Sequence, residues 1–196
     1  MDNFEVITNL LQQNRSYRRF DASKEISENT LLELINLCRY CGSGRNAQPL
    51  KYRIVTDPKE CDIVYSTLGW AGYFKEWDGP ITEERPTAYL IQCLDIKYGP
   101  NCLCDDGLQL EAITLGAIAK GIGCCILKSF KGQTLSDALN IPPTLMPRYV
   151  LALGYPVENV KIVDMSGDAD DDYKYYRDKE GTHYVPKRPL NELIIK

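Results

Sequence analysis

The stretch DGLQLEAITLGAIAKGIGCCILKSF, residues 106–130, decides the fold class, because it can be read in two opposite ways. Its glycines at 121 and 123 invite comparison with a dinucleotide-binding fingerprint. That fingerprint requires a strand, then glycines, then a helix. Here the order is reversed: Asp106–Lys120 has the periodicity of a helix, and Cys124–Lys128 has the composition of a strand. The glycines therefore end a helix rather than open one. The helix is apolar around most of its circumference, which places it in an interior or at a subunit interface.

Working outward, residues 4–13 and 30–40 predict two further helices. Leu31, Leu34, Ile35 and Cys38 line one face of the second, with Ser27 or Asn29 as its cap. YRIVT (52–56), TAYLIQCLDI (87–96) and RYVLALGYP (148–156) predict strands; residues 62–68 and 133–141 predict helices, the latter capped near Thr134. GWAGYFKEWDGP (69–80) is loop composition with a heavy aromatic load. The acidic run 164–178 is a polar excursion, and structure resumes over 185–195. Residues 1–196 thus read as one α+β or α/β domain without internal repeats.

The 196 residues are 44% hydrophobic, enough to bury a core. With 27 Asp and Glu against 23 Lys and Arg, the net charge of −4 argues against a nucleic-acid surface. No run approaches the roughly 20 apolar residues of a membrane span. The amphipathic start, MDNFEVITNLLQQNRSYRRF, lacks the basic-then-apolar pattern of a signal peptide, so a cytoplasmic location is expected.

Of the eight cysteines, Cys38, Cys61, Cys93, Cys124 and Cys125 lie in or beside apolar runs, as small hydrophobes do. The alternative pairs Cys38-x-x-Cys41 with Cys102-x-Cys104 as a four-thiolate zinc or iron–sulfur site. Their spacings do not repeat, and Cys38 would fall inside a helix. The single histidine, His183, excludes His-rich metal sites. DMSGDADDD (164–172) resembles a calcium loop only superficially: its glycine stands fourth rather than sixth, and Tyr175 occupies the twelfth position.

Arg15, Arg18 and Arg19 concentrate three cations in an acidic chain, and Ser16 adds a hydroxyl donor. They form either a solvated face or an anion site, for which arginine's planar fork suits phosphate oxygens. Arg19 is expected to point the other way, towards a carboxylate or solvent. Ser43, Asn46 and Gln48 put three uncharged hydrogen-bonding side chains into a glycine-rich loop, which suits a polar ring edge. Lys187 and Arg188 make a second small basic site.

Taken together, Arg15-Ser16-x-Arg18-x-Phe20, Ser43-x-x-Asn46-x-Gln48-Pro49, the helix–glycine–strand block, Leu151–Pro156 and Lys187-Arg188-x-Leu190 resemble the FMN-dependent nitroreductase family, in the family's order and over essentially the whole chain. GWAGYFKEWDGP, ERPTAYLI and THYVPKRPL further resemble a small subgroup common in anaerobic bacteria. The resemblance implies an α+β sandwich with a central, mostly antiparallel sheet flanked by helices. It also implies an intertwined homodimer with FMN between the subunits. On it, Arg15, Ser16 and Arg18 hold the flavin from one chain, and Ser43, Asn46 and Gln48 approach from the other. Lys187 and Arg188 fall where the family places phosphate-binding cations. Asn14 and Gly42 depart from the family pattern.

The implied activity is an NADH- or NADPH-dependent oxidoreductase that reduces small electron-poor acceptors, nitroaromatic, quinone or related, by ping-pong two-electron transfer. The flavin carries that chemistry and the protein supplies binding and electrostatics. Arg18 would be the catalytic residue, acting through its charge at the pyrimidine edge. Trp70, Tyr73 and Phe74, with Trp77, would either form a substrate-stacking lid or pack at the dimer interface. The alternative function is a non-catalytic or regulatory flavin-holding dimer on the same fold.

Overall fold

A computed structural model describes residues 2–166 and 172–195. The chain begins with α1 (Asn3–Gln13), closed at its start by a reciprocal pair in which Asp2 accepts from the Glu5 amide and Glu5 from the Asp2 amide. α2 (Glu28–Asn36) is capped by Ser27 and runs on into a tighter turn, Leu37–Tyr40. β1 (Leu50–Val55) follows, then α3 (Pro58–Thr67), β2 (Ala88–Asp95), α4 (Asp105–Ala119), β3 (Gly123–Leu127), α5 (Gly132–Ala138) and β4 (Leu145–Gly154). The helix–glycine–strand reading holds: Lys120 caps α4 and Gly121 turns with φ +73°, a conformation that glycine adopts without strain.

The four strands form one antiparallel sheet in the order β1-β2-β4-β3. Every residue of β2 is buried, because both faces are covered. Tyr89, Ile91 and Cys93 point to one side, where Val64 of α3 and Leu135 of α5 pack. Ala88 and Leu90 point to the other, against Leu31 and Leu34 of α2 and Leu110, Ile113 and Ala117 of α4. This period-2 alternation makes a helix–sheet–helix sandwich with two apolar layers.

A second, three-stranded sheet is built from β5 (Val160–Asp164), β6 (Tyr176–Arg177) and β7 (His183–Lys187). β7 lies between the other two, parallel to β5 and antiparallel to β6. The acidic run read as a polar excursion falls partly on residues 167–171, so the calcium-loop comparison lies outside the described residues. No helix is long and apolar enough to cross a membrane among the described residues.

The arginine-rich stretch extends the main sheet. Ser16 bridges Cys124 of β3, the Tyr17 amide donates to the Cys124 carbonyl at 2.9 Å, and Phe20 bridges Pro156. Phe20 is fully buried against Gly154, where an added Cβ would stand 2.8 Å from its ring. Gly123 is similarly closed in, its hypothetical Cβ falling 2.8 Å from Tyr17 and 2.5 Å from Pro156. The two glycines let the arginine stretch lie flat on the sheet edge.

Candidate cofactor site

Within that stretch the three arginines have different fates. Arg19 makes a two-pronged contact with Glu84, Nε to Oε2 and Nη2 to Oε1, each at 2.6 Å. The bond raises the pKa of Arg19 and holds the Glu84 carboxyl below its ordinary value. Arg19 thus points to a carboxylate, as expected. Arg18 and Arg15 form no ion pair among the described residues. Arg18 sends Nη1 to the Ser16 carbonyl at 3.1 Å and lies with its guanidinium 4.8 Å above the Tyr175 ring. Arg15 donates Nη2 to the Leu11 carbonyl at 2.7 Å, and its Nε is buried without a partner. Burial lowers the Arg15 pKa, with Tyr17 and Glu111 opposing that shift. Beside it, Asn14, Arg15, Ser16, Glu111, Thr114, Cys124 and Ile126 line a cleft of about 100 Å³.

The loop carrying Ser43, Asn46 and Gln48 is strained into shape: Arg45, Asn46 and Gln48 have φ of 56°, 54° and 49°. A buried carboxylate organises it. Asp105, in the first turn of α4, accepts the Ser43 hydroxyl at 2.6 Å and the Gly44 amide at 2.9 Å, while Ser43 Oγ accepts the Gln48 amide at 2.9 Å. The Ser43 proton is therefore committed, and only acceptor capacity remains. The Gln48 side chain turns back on Asn46, Nε2 meeting its carbonyl and Oδ1, both at 3.2 Å. Both side chains belong to exposed residues. A hollow of about 230 Å³ lies behind the loop, lined in part by Gly44, Pro49, Tyr98 and Leu103.

One chain does not bring these two groups together. Ser16 sits on the β3 edge, at the level of Cys124 and Leu153; the loop enters β1 at Leu50, level with Leu94 and Met146. Four inter-strand spacings across and the Met146–Leu153 span along β4 put Ser16 and Leu50 about 30 Å apart, at diagonal corners of the sheet. Each cleft is also smaller than the ~300 Å³ at which ligand pockets begin.

The aromatic segment divides. Trp70, read as either a lid or a dimer-interface residue, is only 8% exposed in the core beneath α3, 6.0 Å from the Tyr65 ring. The bend that carries Tyr73 and Phe74 instead docks on the second sheet. Tyr73 is 47% exposed and meets Tyr175 at 4.8 Å. Phe74 meets Tyr175 at 5.2 Å and His183 at 5.4 Å, edge to face, and Trp77 packs on Phe74 at 6.3 Å. Arg177 lies about equally over Phe74 and Trp77, at 5.0 and 5.1 Å. His183 is wholly buried with neither ring nitrogen partnered among the described residues, and its pKa is pushed down to about 4 by burial, then by Arg18 and Arg177.

Lys187 and Arg188 are exposed at the end of β7, and no hydrogen bond or ion pair joins them to Arg15, Ser16 or Arg18. The cysteines are scattered and unpaired. Among the described residues no three His, Cys, Asp or Glu side chains are grouped to hold a metal. Two residues that organise the site escaped the sequence reading. Asp105 is legible only as part of a helix start, and Glu158 only as a charge after Gly-Tyr-Pro.

Comparison with solved structures gives a match along the whole chain. A protein described as a nitroreductase, in complex with FMN, from Desulfovibrio desulfuricans superposes with a TM-score of 0.70 at 20% identity, covering 100% of this chain and 98% of that one. The chain has the nitroreductase fold. A nitroreductase family protein from Clostridium difficile shares that fold at a TM-score of 0.67 and 15% identity, again over 100% of this chain and 98% of the other. An NADH dehydrogenase/NAD(P)H nitroreductase from Parabacteroides distasonis gives 0.65 at 21% identity, over 79% of this chain and 89% of that one. Among curated proteins, the iodotyrosine deiodinase of Thermotoga neapolitana is 24% identical over 209 aligned positions, 98% of this chain and 97% of that protein. No protein-family model matches.

Proposed function

We propose that the protein is an FMN-dependent NAD(P)H oxidoreductase that works as a homodimer and reduces small electron-poor acceptors. The diagonal separation of its two polar half-sites carries this reading. Arg15, Ser16 and Arg18 end one corner of the sheet and Ser43, Asn46 and Gln48 end the other, and among the described residues no hydrogen bond joins the two groups within one chain. A second copy that sets its loop against the first copy's β3 edge completes two equivalent sites. α1, which buries none of its residues and exposes Phe4 and Ile7, and α4, with Leu108 exposed, offer apolar surface for that contact.

The residues fit the group. Among the described residues Arg15 has an unpartnered, buried Nε beside the cleft and Arg18 has no carboxylate on its guanidinium, which suits an anionic or electron-rich edge. Asn46 and Gln48 offer donors and acceptors, and Ser43 an acceptor. Lys187 and Arg188 are the candidates for the phosphate. Bound FMN would supply two-electron transfer between a nicotinamide and an acceptor. The chain's own part is to bind and orient both partners and to favour negative charge through Arg18. No side chain has to move a proton in the hydride steps. Tyr73 and Phe74 offer ring faces for planar acceptors, and halogenated tyrosines, after the deiodinase relative, join nitroarenes and quinones as compounds to screen.

The test is anaerobic. Purified protein reconstituted with FMN is bleached by NADH or NADPH and recoloured by a nitroarene or quinone if the reading is right. Flavin uptake without bleaching would instead make it a flavin-holding dimer.

A further inference from the structure

Glu158 lies just past β4, and its carboxylate is completely buried. A buried carboxylate is costly unless its oxygens are fully engaged. Here Oε1 accepts the backbone amides of both Arg18 and Arg19, the latter at 3.1 Å, and Oε2 accepts Arg177 Nη2 at 3.2 Å. The Val157 amide returns a bond to the Arg19 carbonyl at 3.1 Å, so the two segments are stitched at adjacent residues. None of these bonds uses the Arg18 side chain. They fix the backbone from which it projects, while the Ser16 carbonyl and the Tyr175 ring fix its guanidinium.

We propose that Glu158 is the positioning residue for Arg18, holding that cation in place at the cofactor edge through the Arg18 and Arg19 amides. The inference rests on the reading of Arg18 as a flavin-side residue. Charge-assisted bonds to a carboxylate are about twice as strong as neutral ones, which favours glutamate over glutamine at this position.

Glu158→Gln keeps the shape and an acceptor oxygen but removes the charge. Two effects on the flavin potential then oppose each other in sign. Through-space loss of a nearby negative charge raises the potential, whereas displacement of Arg18 lowers it. The positioning role predicts a lower potential, in the direction of Arg18→Ala, with the double variant falling no further than Arg18→Ala alone. It also predicts, in the flavin-free protein, amide exchange at Arg18 and Arg19 about tenfold faster than in the wild type. Glu158→Asp, which keeps the charge on a shorter arm, repeats the test should Glu158→Gln fail to fold. A raised or unchanged potential, additive effects in the double variant, or unchanged amide protection overturns the proposal. A wild type that takes up no flavin sinks the cofactor reading itself, whereas a flavin-loaded wild type whose potential is not lowered by Glu158→Gln sinks only the role of Glu158.

Discussion

Arg19 and Glu84 grip each other through two contacts of 2.6 Å, while Arg18, one residue earlier, has no carboxylate on its guanidinium among the described residues. Successive residues of an extended segment point to opposite sides, so Arg19 is spent on structure, and the proposed function gives Arg18 to the flavin. Arg19→Ala should therefore cost about 1 kcal/mol of stability, because the pair is part-exposed, and leave the flavin potential nearly unchanged. Arg18→Ala should do the reverse, weakening flavin binding and lowering the potential with little loss of stability. Urea unfolding and reductive titration of both variants check the pair. An exchange of the two patterns would contradict the assignment.

His183 should make stability pH-dependent in a defined window. It is neutral in the fold, with its pKa pushed down from 6.5 to about 4. A depressed value means that the unfolded chain takes up the proton first, so the stability from His183 is complete above pH 6.5 and is lost as pH falls towards 4. The loss is about 3 kcal/mol. Glu84, held below its ordinary value by Arg19, contributes its own loss at lower pH still. His183→Phe, which keeps a ring beside Phe74 and Tyr175, should flatten the upper window and spare the lower one. Urea midpoints measured across that range decide it; a parallel curve in the variant would remove His183 from the account.

Trp70→Ala should destabilise the protein by roughly 3–5 kcal/mol, because it empties a core position. The glycine at 79, with φ +121°, packs so closely that a Cβ there would stand 2.7 Å from the indole. Tyr73→Ala, at an exposed ring, should leave stability within about 1 kcal/mol and act on acceptor selectivity instead. Thermal midpoints alongside turnover with a panel of nitroarenes and quinones separate the two. Equal stability losses would mean that the aromatic segment is one packed unit.

Much of the sandwich was legible, because its signals are local. The apolar run in Thr87–Ile96 and the apolar helix ahead of Gly121 point to a sheet covered on both faces. Other boundaries needed a second element to interpret. α3 begins at Pro58 rather than Asp62 because Asp57 accepts the Lys59 and Glu60 amides, a cap hidden in a polar run. β4 extends back to Leu145 through Pro147, which is tolerated because β3 reaches only to Val150 and the β2 register slips between Gln92 and Cys93. β5 was missed, since its partner β7 lies about twenty residues further on. The arginine and loop residues could be singled out by chemistry, but their diagonal placement depends on strand order, which no local pattern encodes. The burial of Trp70 and the bonds of Glu158 are likewise products of contacts distant in sequence.

The central claim is that each cofactor site takes its arginine half from one chain and its loop half from another, and a mixed dimer tests it most directly. One chain carries Arg15→Ala and Arg18→Ala, and the other carries Asn46→Ala and Gln48→Ala; the two are co-expressed with different tags and the heterodimer is isolated. If the halves come from different chains, one site is doubly damaged and the other is intact. FMN titration should then find one site per dimer with wild-type affinity. If both halves belonged to the same chain, each site would carry one damaged half, and a heterodimer with no wild-type site would contradict the account.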